Sequence, residues 1–511
     1  MTLAHCLVVP LALLLVRALY RRYFHPLRHV PGPILASVTN LYRVFVFLRG
    51  RQHHVYEELF HIYGPLVRLG PDTVILNDVA HFAEYFTYSK SPWAEVFRAR
   101  LDVFDHGTVA DIEEHAKYKK QVMGAYSMSH VLKSECVVDF HVTKLMGSLE
   151  NRAEDEVFDL IPWLHFFAFD AVLDVAFSNT PGLGFLETGS DVQGIIATLH
   201  KIMPVGGVLT MYPAVVAFFQ KRQWLFSMIA PNTKDITSEK VGLAALYHLG
   251  WSQVEQRMSL EGQGEENKND ILQWLIEREN KDGERLSKAR LEQECVAPVL
   301  AGSDTVATVL RAVIFFVSTN PRILKQLRAE IDAADFSGLL STPPRFQEIK
   351  EHIPYMSAIM KEALRLYPVI ALPLFRATPK YKAVTLCGFN LPPETEIGIC
   401  HHAVGRNQAI FGTDTDLFRP ERWTEEVDPA MRKLRTEGDV FFGTGVMMCT
   451  GRNLATMEVW KVAIQLFREF DVEIVNPLEP WKWYATIALI AWDFDVKLKR
   501  REATFEGRFD D

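Results

Sequence analysis

The sequence has no CxxC pair. Its six cysteines (Cys6, Cys136, Cys295, Cys387, Cys400 and Cys449) are scattered singly along 511 residues. Such spacing offers no disulfide framework and suits a reducing compartment. No internal repeat and no long low-complexity linker divides the chain. Length alone suggests roughly two to four domains, but it is only a soft guide. There is no dinucleotide-binding fingerprint and no flavin-binding segment, which excludes a built-in nicotinamide-oxidising module. Basic charge is not in excess either: the net charge is -8, which argues against nucleic acid as a partner. What is present is an ordinary globular composition, 48% hydrophobic and 23% charged, enough for a large core.

Leu3 to Val16 is nearly all apolar, broken only by His5 and Pro10, and Arg17, Arg21 and Arg22 follow it. An apolar stretch with basic residues on its C-terminal side reads as a signal anchor that leaves the rest of the chain cytosolic, although it is shorter than the roughly 20 residues of a comfortable span. A cleaved signal peptide is the competing reading, but a charged start and a small-residue cleavage site are both missing. His25-Pro26 and Pro31-Gly32-Pro33 then form a stiff elbow, because proline fixes the backbone and stops a helix. The expected division is an anchor over 1–22, an elbow over 23–36 and one catalytic domain over 37–511. A second apolar region, Met211 to Ala230, admits two readings: a segment dipping into the bilayer, or buried core.

Val67 to Asp72 followed by Thr73 to Leu76 reads as a turn between strands, punctuated by Gly70 and Pro71. Apolar residues recur at helical spacing from His115 to about Asn151 and from Phe158 to Phe177. Glu261 to Asn269 is polar and reads as an exposed loop. A helix restarts at Asp270, and another is expected from about Ser287 to Asn320, with Pro298 inside it removing an N–H donor and kinking it. Helices outnumber strands, so the class is α+β, mainly α-helical.

The densest local signal is Phe442-Gly443-Thr444-Gly445-Val446-Met447-Met448-Cys449-Thr450-Gly451. Glycines packed this closely permit backbone conformations closed to other residues and close approach to a flat ligand. The lone cysteine can present its sulfur among backbone N–H groups at the start of the helix that follows, an arrangement that stabilises a thiolate. Alone, the segment also reads as a structural cysteine in a glycine turn. Two further motifs decide between the readings. Glu362-Ala363-Leu364-Arg365 sets an acid and a base at i, i+3, usually a surface ion pair. Ala301-Gly302-Ser303-Asp304-Thr305, read without context, is a cap or turn.

Together these segments resemble the cytochrome P-450 family, whose haem-binding loop has the pattern F-G-x-G-x-x-x-C-x-G. The resemblance implies haem b held non-covalently, since no CxxCH is present, with Cys449 as the axial thiolate ligand of the iron. Phe442, Gly443, Gly445 and Gly451 shape its loop. Glu362, Arg365 and Arg422, the last within Phe418-Arg419-Pro420-Glu421-Arg422-Trp423, correspond to a structural triad behind that loop. Small Ala301 and Gly302 are expected to leave room for dioxygen, Thr305 to hydrogen-bond to it, and Asp304 to help deliver protons. The family usually has Arg or His two residues before the cysteine, where this chain has Met447. A buried propionate needs a cationic or donor partner, and His115, Lys119 and Arg376 are the candidates.

The resemblance implies insertion of one atom of dioxygen into an organic substrate, with electrons from NADPH through a separate NADPH-cytochrome reductase. Cytochrome b5 is an optional second donor. Basic residues near the ligand loop, including Lys117, Lys120, Arg432, Lys433 and Arg452, offer a docking face. Substrate contacts are expected from the loop around Phe97 to Phe104, from Val369 to Leu372 and from Tyr484 to Leu489, mainly apolar, so the expected substrate is a small apolar organic molecule. The stretches Tyr63-Gly64-Pro65 and Ala125 to Ser129 look most like fungal microsomal members of secondary metabolism, anchored once in the endoplasmic reticulum membrane. A haem-thiolate isomerase or dehydratase and a non-catalytic ligand binder are the two other classes; the intact Asp304-Thr305 pair argues against the former.

Overall fold

The computed structural model describes residues 3–98, 102–151, 156–178, 182–222, 242–259, 268–279 and 283–501. Its axis is the helix Lys288–Ser318, 31 residues long, opened by Ser287, whose side chain accepts the Arg290 N–H. This cap satisfies a donor that the first turn leaves without an intrahelical partner. The helix is assigned as one continuous element through Pro298.

Most of that helix is buried because other helices cover it on several sides. Ile161–Phe177, apolar almost all round, packs along it. Tyr355–Leu366, Arg452–Glu469 and Gly242–Ser259 cover the rest. A helix buried on every face must be apolar on every face, which explains why Phe166, Phe167, Phe169, Val172 and Phe177 all lie in one core cluster. The expected helix from Phe158 begins only at Ile161, because Phe158–Asp159 forms a two-residue strand, β3, paired with Val496 and Asp495. Two residues carry no periodicity for a sequence reading to detect.

The strands form small sheets at the periphery. β1 (Leu66–Arg68) and β2 (Thr73–Leu76) are the expected hairpin. β2 pairs in parallel with β7 (Glu396–Ile399), which pairs antiparallel with β4 (Arg376–Ala377). The proline elbow is tied to this sheet: the Arg68 N–H donates to Pro31 O at 2.7 Å. A Cβ on Gly32 would lie 2.3 Å from Arg68 O, so only glycine fits there. β8 (Phe470–Ile474) and β11 (Asp495–Arg500) pair beside β3. β9 (Lys482–Ala485) and β10 (Leu489–Trp492) form a second hairpin, and β5 (Val384–Leu386) and β6 (Phe389–Leu391) a third.

The N-terminal stretch is a helix, Leu3–Tyr23, with Leu11, Leu13, Leu14, Leu15, Val16 and Leu19 exposed. Of the second apolar region, Pro213–Gln220 is helical with Val215 and Phe218 exposed, so this part is not core. Residues 223–230 lie outside the described residues, as do 261–267 of the expected polar loop.

Glu458 sits inside the core on Arg452–Glu469 with its Oε1 unpartnered. Burial pushes its carboxyl from the ordinary 4.5 up to about 8. The unfolded chain releases this proton near 4.5 while the folded chain keeps it to about 8, so stability falls as pH rises through that window. The loss is on the order of a few kcal/mol. Melting between pH 5 and 8 should show this fall, and Glu458→Gln should flatten it. An equal slope in the variant would remove Glu458 as its cause.

Candidate active site

The loop before Arg452–Glu469 is built by its glycines. Gly443 has φ +70°, and a Cβ there would lie 2.6 Å from Met447 O. Gly445, at φ +57°, opens a short 3-10 turn, Gly445–Met447. The Cys449 N–H donates to Phe442 O at 2.6 Å and closes the loop. Burial pushes the Cys449 thiol up; the N–H groups of Gly451 and Arg452 and the charges of Lys119 and Arg452 act against it. These N–H groups belong to the helix start, where negative charge is favoured. The cysteine nevertheless keeps exposed surface.

On the long helix, Ala301 is exposed although Val299, Ser303 and Asp304 beside it are buried. The Thr305 hydroxyl donates to Ala301 O at 2.6 Å, which leaves its oxygen lone pairs free to accept. A Cβ on Gly302 would lie 3.0 Å from Val172 Cγ2, so its small size serves packing against Ile161–Phe177; the spacing of the motif could not reveal which face it occupies. Asp304 is buried, with Oδ1 3.3 Å from His165 Nε2 and Oδ2 3.2 Å from His200 Nε2.

Cations gather around the loop. Lys119 Nζ donates to Val446 O at 2.8 Å and also to Met448 O, and His115 Nε2 lies 3.1 Å from Val446 O. Burial, then the Lys90 charge, pushes His115 down to about 4, so it is neutral at pH 7. Arg376, on β4, donates to Tyr88 O at 3.3 Å and sits 4.9 Å over the Tyr85 ring. Its Nε is buried and has no partner. Lys90 was not singled out by sequence: it carries no motif, yet its Nζ donates to Gly107 O at 2.7 Å and lies 3.3 Å from His115 Nδ1. Burial pushes Lys90 down to about 7. Met447 packs against the apolar cluster that contains Phe411 and Val440. The residues present therefore fit a thiolate-bound haem. Cys449 would hold the iron, while Arg376, with its unsatisfied Nε, and Lys90, His115 and Lys119 would offer donors to the propionates.

Behind the loop, Glu362 is wholly buried and accepts from five donors. Arg365 Nε donates at 2.8 Å and its NH2 at 2.7 Å, Arg422 Nε at 3.3 Å, Trp423 Nε1 at 2.9 Å and the Arg419 N–H at 3.0 Å. Arg365 also donates to Gly405 O and Thr415 O, both at 2.6 Å, and Arg422 to Asp414 Oδ1 at 2.9 Å. Buried charges persist when paired and fully hydrogen-bonded in this way.

Two of the three expected substrate segments meet. The Ala371 N–H donates to Ile487 O at 2.9 Å and the Leu489 N–H to Val369 O at 3.2 Å. Thr308, one turn beyond Thr305, donates to Leu489 O at 3.5 Å. Of Phe97 to Phe104, residues 99–101 lie outside the described residues, and Phe97 packs near Gly206.

Comparison with known proteins agrees with this geometry. The family model described as cytochrome P450 matches residues 30–492. The chain is 29% identical to cytochrome P450 monooxygenase cicH of Emericella nidulans, covering 96% of this chain and 97% of that protein. It is 31% identical to a cytochrome P450 monooxygenase of Aspergillus terreus, over 90% of this chain and 93% of that one. It is 29% identical to pisatin demethylase of Fusarium vanettenii, over 91% and 88%. A cysteine loop of this build, on a chain matched over nearly its whole length, leaves one assignment: the protein belongs to the cytochrome P450 family and is a monooxygenase.

Proposed function

We propose that this chain inserts one atom of dioxygen into a small apolar organic substrate of a fungal secondary-metabolite pathway, with Cys449 as the iron ligand and electrons from a separate NADPH-cytochrome reductase. The observation that carries the reading is Cys449, exposed and alone in its glycine loop, with the Gly451 and Arg452 N–H groups directed at its sulfur. Haem bound there supplies the dioxygen chemistry. This chain's residues do the rest. The Gly451 and Arg452 donors tune the thiolate. The Thr305 Oγ, its own proton committed to Ala301 O, keeps lone pairs that would accept a hydrogen bond from a water or a bound ligand. Asp304, next in sequence, holds a carboxylate in reach of solvent through His200, whose side chain is 23% exposed. Ile370, Ala371, Ile487 and Leu489 supply an apolar wall with no charged anchor.

The exposed Lys117, Lys120, Arg432, Lys433 and Arg452 form the reductase-docking face, by charge complementarity that weakens with salt. The exposed leucines of Leu3–Tyr23, followed by Arg21 and Arg22, support a single anchor in the endoplasmic reticulum membrane with the remaining domain on the cytosolic side. Turnover under ¹⁸O₂ with reductase and NADPH tests the reading. Product carrying one labelled oxygen, and none when any component is omitted, is expected. An unlabelled, rearranged or dehydrated product formed without NADPH would replace it with an isomerase or dehydratase.

A further inference from the structure

Three clusters among the described residues bring a histidine together with other metal-ligating groups: His54–Glu57–His402, Asp78–His81–Cys387 and His165–His200–Asp304. Their hydrogen bonds separate them. His402 Nδ1 lies 3.0 Å from Arg406 NH1, and arginine only donates. The His402 proton is therefore on Nε2, 2.9 Å from Glu57, and no lone pair is left there for a cation. His81 Nε2 is occupied in accepting the Cys387 N–H at 3.1 Å. The Cys387 thiol, pushed up to about 12 by burial and Asp78, stays protonated.

The third cluster is different. His165 Nδ1 lies 3.0 Å from Ile161 O, a carbonyl that can only accept, so Nδ1 carries a proton. The other nitrogen, Nε2, then aims at Asp304 Oδ1 at 3.3 Å. An imidazole lone pair facing a carboxylate oxygen is repulsive. Something positive must lie between them, either a second proton on the ring or a metal ion. His200 Nε2 sits 3.3 Å from Oδ1 and 3.2 Å from Oδ2 of the same carboxylate.

Zinc bonded to imidazole nitrogen and carboxylate oxygen at about 2.0–2.1 Å in a tetrahedron puts its donor atoms about 3.3–3.4 Å apart. The separations from both histidines to Asp304 match that edge. The backbone carbonyl on His165 Nδ1 is the outer partner that metal-bound histidines take, because it fixes the tautomer that leaves Nε2 free. The three residues stand on three helices, Ile161–Phe177, Ile195–Thr210 and Lys288–Ser318, the first and last packed along each other. His200 is partly exposed, which provides an entry path and room for a water as fourth ligand.

We propose that His165, His200 and Asp304 bind a divalent cation of the zinc class, and that this cation, by occupying the Asp304 carboxylate beside Thr305, suppresses proton delivery and hence turnover. Two imidazoles and one carboxylate select zinc over magnesium or calcium, which take oxygen ligands. The inhibitory half rests on the monooxygenase reading above; the binding half does not.

The test uses the full-length, haem-loaded chain in detergent, stripped of adventitious metal and titrated with zinc sulfate. Bound zinc is counted by mass spectrometry after dialysis. One zinc per chain is expected, with affinity about tenfold or more weaker in His200→Ala and in His165→Gln. The carbon monoxide spectrum of each variant reports its fold. If buried His165→Gln does not fold, His200→Ala at the partly exposed position decides alone. Zinc should also lower NADPH-driven turnover at the concentration at which it binds, with the reductase assayed separately against a soluble acceptor. No stoichiometric zinc, or equal binding in folded His200→Ala, overturns the site. Zinc bound with turnover undiminished overturns the inhibition. A chain that binds zinc but gives no thiolate spectrum overturns the monooxygenase reading and leaves the site standing.

Discussion

Glu362→Ala is expected to abolish accumulation of folded, haem-loaded protein. The substitution removes the acceptor of five hydrogen bonds and leaves the Arg365 and Arg422 guanidiniums in the core with no countercharge from Glu362. Both arginines are essentially without solvent contact. Breaking a buried pair costs about 3–5 kcal/mol, because a charge is left uncompensated. A domain is stable by only about 5–15 kcal/mol in all. Glu362→Gln should also destabilise: whichever oxygen becomes NH₂ faces at least two donors. Soluble yield and haem content after purification check both. A Glu362→Ala protein with wild-type yield and melting temperature would show that backbone carbonyls alone, such as Gly405 O and Thr415 O on Arg365, compensate these charges.

Asp304→Asn should leave folding and haem loading nearly intact while lowering product formation by about 10²-fold or more, the usual scale for losing a positioned proton-transfer group. NADPH should still be consumed, so electrons and product uncouple. The reasoning is local. The carboxylate lies 3.2–3.3 Å from two imidazoles, one of which reaches solvent. An amide keeps the shape and one acceptor but cannot carry a proton between His200 and the Thr305 side of the helix. Side-by-side rates of NADPH oxidation and product formation decide it. Equal losses in both, with a changed spectrum, would make Asp304 a residue that supports the fold instead.

How much of this was legible in the sequence depends on distance along the chain. The cysteine loop and Glu362-x-x-Arg365 lie within ten residues each, and their spacing alone brings the groups together. The long helix was legible because 31 residues of helical pattern follow a serine cap. What sequence could not supply is the set of partners chosen by packing. His165 and His200 lie 139 and 104 positions from Asp304 and belong to no pattern that links them. Lys90 lies beside His115 because its backbone bridges Arg376 and donates to Ala110 O at 2.9 Å, pairings that no motif announces. Two small residues in a motif do not say which neighbour each admits; for Gly302 the structure places Val172 there. Met447, standing where the family pattern has Arg or His, packs against the apolar cluster that contains Phe411 and Val440.

The most direct test of Cys449 ligation is the carbon monoxide difference spectrum of the dithionite-reduced full chain beside that of Cys449→Ala. A strongly red-shifted Soret band in the native protein, lost in the variant, is the predicted result and fits the thiolate held by Gly451 and Arg452. A folded native protein with no haem, or with only the unshifted band, would contradict it.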